Sequence, residues 1–282
     1  MRRNPFNLPL SENAAALKEG NGSTRRALKL AIMQPYILPY LGYFQLMAAV
    51  DRFVIYDDVA FIKGGWINRN RILLDGRDHL FALPLRRASQ NRLINQISLV
   101  AETDWPEKLL KTLRHAYRRA PYFGEFFPLA AEIVRSAERN LANYLRQSLF
   151  AIKNYLAIQT TIIPTSAVYE NRHLKGEARI LDICRQEGAT TYLNPSGGEE
   201  LYNPDTFHST GVALHFLEAT SPAYEQFGQP FVPRLSVIDA LMFNPPAKVR
   251  SCRPTGHNPS QRQSSRRKSR TVQIRFGPPD YP

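Results

Sequence analysis

Between residues 33 and 72 the chain reads MQPYILPYLGYFQLMAAVDRFVIYDDVAFIKGGWINRNRI, and side chains able to do chemistry crowd into two short loops there. The second loop opens on Asp57-Asp58, a carboxylate pair that can orient a hydroxyl or act as a general base. Lys63 follows five residues later, and Asn68-Arg69-Asn70 adds a run of forked donors suited to carboxylate, phosphate or sugar hydroxyls. The first loop offers Gln34, Tyr36 and Tyr40, stiffened by Pro35 and Pro39, and ends at Gly42. A helix beginning at Gly42 would turn its backbone N–H groups toward an anion. The bland alternatives are that PYILPY packs over a sheet edge and that Asp-Asp and Asn-Arg-Asn are solvated turns.

Further along, Ser196-Gly197-Gly198 follows an apolar run and would make a tight loop that lets backbone approach a ligand. Tyr202, Tyr224, Gln226 and Asp239 complete the polar candidates. Several familiar chemistries lack their patterns. There is no GxGxxG, no GxxxxGK[ST], no HxxxH pair among the six histidines and no GxSxG. The residues name neither a metal nor a cofactor. Cys184 falls in a helical pattern as a core thiol, and with Cys252 as the other cysteine no disulfide framework is expected, which favours the cytoplasm.

These loops need a scaffold, and the hydrophobic pattern supplies one. KLAIM at 29–33, stopped by Pro35, reads as a buried strand. Residues 42–50 read as a helix and 52–58 as a second strand. Strand, helix and strand in under thirty residues predict a βαβ unit with parallel strands. RNRILL, HLFALPL and INQISLV, separated by turn residues, predict β-hairpins. Leucine-rich helical spacing covers 105–157. Strand and helix then alternate from 160 to 218, with Gly188 as a helix C-cap and 235–243 as the last element. The expected fold is α/β with a mostly parallel, Rossmann-like sheet and an inserted hairpin and helical section. Its βαβ start resembles that of nucleotidyltransferases in architecture but lacks their HxGH histidines.

Residues 1–28 and 248–282 are polar and basic without periodicity. They are expected to be disordered ends around an α/β domain at 29–247. Net charge is +13, but residues 1–29 hold six basic and two acidic side chains, and 248–282 hold nine and one. The remaining 22 basic and 21 acidic residues leave the central part almost neutral. The charge therefore argues against nucleic acid as the partner of the folded part. No apolar run of eighteen residues exists, so no membrane-spanning helix is expected.

The 33–72 run closely resembles the signature of the WbqC-like protein family. Further matches are Trp105, Tyr117–Phe123 (YRRAPYF), Thr191-Tyr192-Leu193, Ser196-Gly197-Gly198, Tyr202, 222–226 (PAYEQ) and 231–239 (FVPRLSVID). The resemblance covers roughly residues 29–247. Ala60 stands where the family usually has glutamine after Asp-Asp-Val, and the C-terminal tail has no family counterpart. Such proteins are commonly met in bacterial O-antigen and other surface-polysaccharide gene clusters. The resemblance implies an enzyme acting on a nucleotide-linked amino sugar, with acyl or aminoacyl transfer as the expected reaction. On that reading Gly42 and Arg69 hold phosphates, Asp57 or Asp58 deprotonates the nucleophile, and Lys63 with Asn68 or Asn70 meets developing oxyanion charge. The alternative is a non-catalytic sugar-nucleotide-binding or scaffolding protein of a glycan-assembly complex.

Overall fold

The computed structural model describes residues 27–228 and 230–257. The expected N-terminal extension falls almost wholly outside them, as does the chain beyond 257. At the centre lies β1 (Lys29–Met33), whose side chains alternate between two cores. Ala31 belongs to one cluster with Phe53 and Ile55, whereas Leu30 and Ile32 belong to the other with Val54. A strand covered on both faces has no polar side, which is why residues 30–33 (LAIM), after the exposed Lys29, are continuously apolar.

Pro35 ends β1, and α1 (Leu41–Ala48) crosses to β2 (Arg52–Ile55), which pairs in parallel with β1, Leu30 opposite Arg52. An insertion follows. Strands β3 (Arg69–Leu74) and β4 (Arg77–Ala82) form an antiparallel hairpin around Asp75-Gly76, both with positive φ (51° and 76°), the geometry of a tight two-residue turn. A smaller antiparallel pair is made by β5 (Leu85–Arg86) and β6 (Ser98–Leu99). Helices α2 (Trp105–Tyr117), α3 (Phe123–Val134) and α4 (Leu141–Tyr155) bury Leu113, Tyr117, Phe126 and Leu145 in the first core.

The chain then returns to the sheet as β7 (Thr161–Ile163), α5 (Gly176–Glu187), β8 (Thr191–Pro195), α6 (Pro204–Ser209) and β9 (Ala213–Glu218). Gly188 closes α5 with a φ of 66°, as its sequence position predicts. Residues Ile180, Ile183, Cys184 and Phe207 fill the second core. Helices α7 (Val237–Phe243) and α8 (Pro246–Ser251) follow, and β10 (Thr255–His257) pairs antiparallel with β9. The sheet order is β10-β9-β8-β1-β2-β7, parallel apart from β10. The fold is thus α/β with a mostly parallel central sheet, small antiparallel hairpins and several helices, as expected. Regular elements continue past residue 247, the expected domain limit, which falls inside α8; Val249 packs into the first core.

One ion pair stands out in the second half. Arg179 on α5 reaches both Asp58 carboxylate oxygens at 2.7 Å, with the two side chains only 4% and 1% exposed. Asn171 accepts from the guanidinium at 2.9 Å, and the Tyr56 ring lies 4.8 Å from it. Removing one partner of such a pair strands a charge in the interior. Arg179→Met is expected to destabilise the fold by about 3–5 kcal/mol, read as a lower urea midpoint. A midpoint unchanged within error would show that the pair contributes nothing net.

Candidate functional site

Sheet order leaves β1 in two directions, to β2 and β7 on one side and to β8 and β9 on the other. At such a switch point the loops diverge and a crevice opens at the carboxyl ends of the strands. A cleft of about 280 Å³ occupies this position. Tyr40, Leu41 and Gly42 come to it from the start of α1, Pro195 and Ser196 from the end of β8, and residues 217–221 from the end of β9. Tyr224 and Arg234 close the remaining side.

The α1 wall is built to tight tolerance. A Cβ on Gly42 would lie 2.4 Å from the Tyr40 ring and 2.5 Å from Ala219 Cβ, so only glycine lets the helix start meet the segment after β9. Three residues on, the buried Gln45 side chain donates to the Thr220 carbonyl at 2.7 Å and accepts the Thr220 N–H at 3.1 Å. One amide thereby fixes the cleft floor to α1. Burial raises the Tyr40 hydroxyl above its ordinary range, and the positive charge of Arg234 partly offsets this. The cleft therefore combines one guanidinium, one carboxylate (Glu218), hydroxyls from Tyr40, Ser196, Thr220 and Ser221, and the first turn of a helix.

Behind Tyr224 lies a fully buried carboxylate. Asp239 accepts hydrogen bonds from Tyr117 at 2.9 Å, Tyr224 at 2.5 Å and Gln226 at 2.6 Å. Gln226 in turn accepts the Val232 N–H at 2.7 Å, and Tyr117 accepts the Leu73 N–H at 2.9 Å. The network fastens the segment carrying Tyr224 and Arg234 to the core. Desolvation raises the Asp239 carboxyl above the usual aspartate range, while its three donors pull the other way.

The structure separates the residues singled out in the sequence. Tyr40, Gly42 and Ser196 line the cleft, and Gln226 and Asp239 support it from behind. Gln34 and Tyr36 brace the first loop: the Gln34 carbonyl accepts from Tyr43 and the Tyr36 hydroxyl from the Tyr40 N–H, each at 3.3 Å. Gly197 is exposed beside Ser196, and Gly198 is packed so closely on Asn194 that a Cβ would overlap it. Tyr202 lies against Tyr192, with the hydroxyls 3.2 Å apart. Asp57 and Asp58, expected to end the second strand, lie in the loop just beyond β2 and do not line the cleft. Asp57 is held by the Thr165 hydroxyl at 2.7 Å and the Ser166 N–H at 3.2 Å, and Asp58 by Arg179 and Ser166. Burial raises the Asp57 carboxyl despite these donors.

The Asn-Arg-Asn run is spent inside the fold. Asn70 on β3 is buried and donates to the carbonyls of Ile37 at 3.0 Å and Leu38 at 2.6 Å, and Asn68, just before the strand, donates to the Leu83 carbonyl. Arg69 bonds back to Gly64 and Gly65 near Trp66, and Lys63 is exposed in the same turn. Sequence reasoning passed over Arg234, Gln45 and residues 217–221 as site residues. Two of them left a local sign. Gln45 is a lone amide in an apolar helix, and Arg234 is a lone charge leading into the apolar run 235–238. Among the described residues, no three His, Cys, Asp or Glu side chains gather as a metal site, and no helix is long and apolar enough to cross a membrane.

Comparison with known proteins adds two findings. The family model described as "WbqC-like protein family" matches residues 34–251. An uncharacterized protein of Mycobacterium tuberculosis (strain ATCC 25618 / H37Rv), Rv1507c, is 31% identical over 231 residues, covering 80% of this chain and 99% of the relative. No solved structure matches.

The Asp239 network has a consequence for pH. A carboxyl raised in the folded state binds its proton more tightly there than in the unfolded chain. Its stabilising contribution is full below the unfolded value near 3.8 and is lost as pH rises through the higher folded value. Urea unfolding of Asp239→Asn should therefore show a flatter fall in stability above pH 4 than the parent chain. Identical pH slopes would place the titration elsewhere.

Proposed function

The chain belongs to the WbqC-like protein family, and from that premise we propose that it is a cytoplasmic enzyme of bacterial surface-polysaccharide assembly acting on a nucleotide-linked amino sugar. The observation that carries this reading is the cleft at the sheet switch point, with Arg234, the start of α1 and two tyrosine faces around one space. A guanidinium and helix N–H groups suit a phosphate. Tyrosine rings and hydroxyls suit the face and edge of a sugar. At about 280 Å³ the cleft is at the lower end of small-molecule sites. It would hold the sugar-phosphate end, leaving the nucleoside toward solvent.

Acyl or aminoacyl transfer to the sugar amine is the reaction we assign. Glu218 is the carboxylate on the cleft wall and would take the amine proton as the nitrogen attacks the carbonyl of an acyl thioester. Tyr40 or Thr220 would meet the developing oxyanion, and the C–S bond would break as the thiolate leaves and receives that proton. Asp57 and Asp58, earlier expected as bases, are proposed instead to position the end of β2 through Ser166 and Arg179. A second reading, binding without turnover, is favoured by one fact: Asp57, Asp58 and Asp239 all give acceptor oxygens to internal donors.

Thermal unfolding in the presence of nucleotide-linked amino sugars tests the reading. A ligand at a hundred times its dissociation constant adds about 2.7 kcal/mol, or roughly 5–10 °C for a domain of this size. Arg234→Ala should remove most of that shift while leaving the ligand-free transition in place. If no nucleotide sugar raises the transition, the assignment fails. Mass spectrometry after incubation with an activated acyl donor separates the two readings, since only the enzyme adds the acyl mass.

A further inference from the structure

Beside the cleft lies a second, smaller space of about 60 Å³. It shares Leu41, Tyr224 and Ala240 with the main cleft. Its own walls are Pro222, Ala223, Val249 and Cys252, together with the polar Asn244 and Lys248. Tyr224 is thus a wall common to both spaces, with Leu41 and Ala240, and it is held firmly. Its hydroxyl donates to Asp239 at 2.5 Å, and its ring meets Phe231 edge-on at 4.9 Å and lies 6.1 Å from Phe243.

The two compartments differ in chemistry. The larger carries Arg234, Glu218 and four hydroxyl-bearing side chains besides Tyr224; the smaller is walled mainly by proline, alanine, leucine and valine. A cavity of the smaller size takes roughly two to four non-hydrogen atoms. Lys248 offers a cation to a carbonyl oxygen entering there. We propose that the small compartment is the subsite for a short acyl group carried on the nitrogen of the same sugar whose phosphate lies in the main cleft. The proposal rests on the cleft reading and adds to it the chain length of the acyl group. Adjacency across the shared walls is what commits the space to this occupant: a short group carried on a ligand in the cleft has only the boundary of Leu41, Tyr224 and Ala240 to cross, without a second molecule.

Cysteine chemistry supplies a direct readout. Cys252 lines the small compartment and is half-buried, with Lys248 opposing the effect of burial on its thiol. Cys184 is buried, and desolvation pushes its thiol up to about 12, so it stays unreactive near neutral pH. Alkylation of the folded chain by iodoacetamide therefore reports on Cys252 among the described cysteines.

The test compares a nucleotide-linked amino sugar with its N-acetyl, N-propionyl and N-hexanoyl forms, measuring affinity and the rate of Cys252 alkylation. Affinity should rise about fourfold for each methylene buried up to the propionyl form and then fall for hexanoyl. The acylated ligands should slow Cys252 alkylation at least tenfold, and the free amine should not. Ala223→Leu, which narrows the small compartment and leaves the main cleft intact, should abolish the acyl gain while the free amine binds as before. Equal affinity for every form, or an acyl gain that survives Ala223→Leu with Cys252 unprotected, overturns the subsite while the cleft reading stands. Failure of every nucleotide sugar to bind overturns both.

Discussion

Two side-chain donors meet at one buried carbonyl oxygen. Leu38 accepts from Asn70 at 2.6 Å and from Ser236 at 2.7 Å, and its own φ of 42° lies in the left-handed region that a leucine rarely adopts. The chain tolerates that conformation because the surroundings over-determine it. Asn70 also holds the Ile37 carbonyl, the Ser236 N–H bonds to Arg71, and the Val237 N–H bonds to Pro39. Two segments far apart in sequence are thus fastened to the loop after β1. Everything at the cleft follows from where that loop delivers Tyr40 and Gly42. Ser236, which also caps the first turn of α7 through the Ile238 N–H, sets at the same time where Asp239 begins its own network.

This explains which parts of the molecule could be read from residues alone. The βαβ start, the hairpins and the later alternation are local patterns, since burial on two faces, turn residues and helix periodicity act over fewer than twenty residues. The position of the cleft at the strand ends was legible for the same reason, and Tyr40, Gly42 and Ser196 do line it. The partner of a buried amide was not legible. Gln45 finds Thr220 at a separation of 175 residues, and no local pattern encodes that meeting. Asn70 and Asp58 misled for a related reason. A polar residue near a strand end looks the same in sequence whether it faces a ligand or satisfies a buried group, and here both satisfy buried groups.

The distribution of charge repeats the distinction. Asp58 and Arg179 form a desolvated pair within the second core, where breaking it costs more than making it stabilises. Arg234 and Glu218, by contrast, line the wall of the cleft. Polar groups inside the fold satisfy one another, whereas those at the switch point border an open space. The rigidity of the first set lets the second be preorganised.

The short strand β10 bears on how the molecule behaves in company. Without it, β9 would be the outermost strand on its side of the sheet, presenting unpaired backbone donors and acceptors beside the apolar residues Leu214, Phe216 and Leu217. Such an edge is a template for pairing with another chain. By bonding to Phe216, Leu217 and Glu218, residues Thr255–His257 occupy that template from within the same molecule. A chain cut before residue 255 would keep its two cores and its cleft yet gain a sticky margin. Solubility, rather than folding, is what those three residues guard.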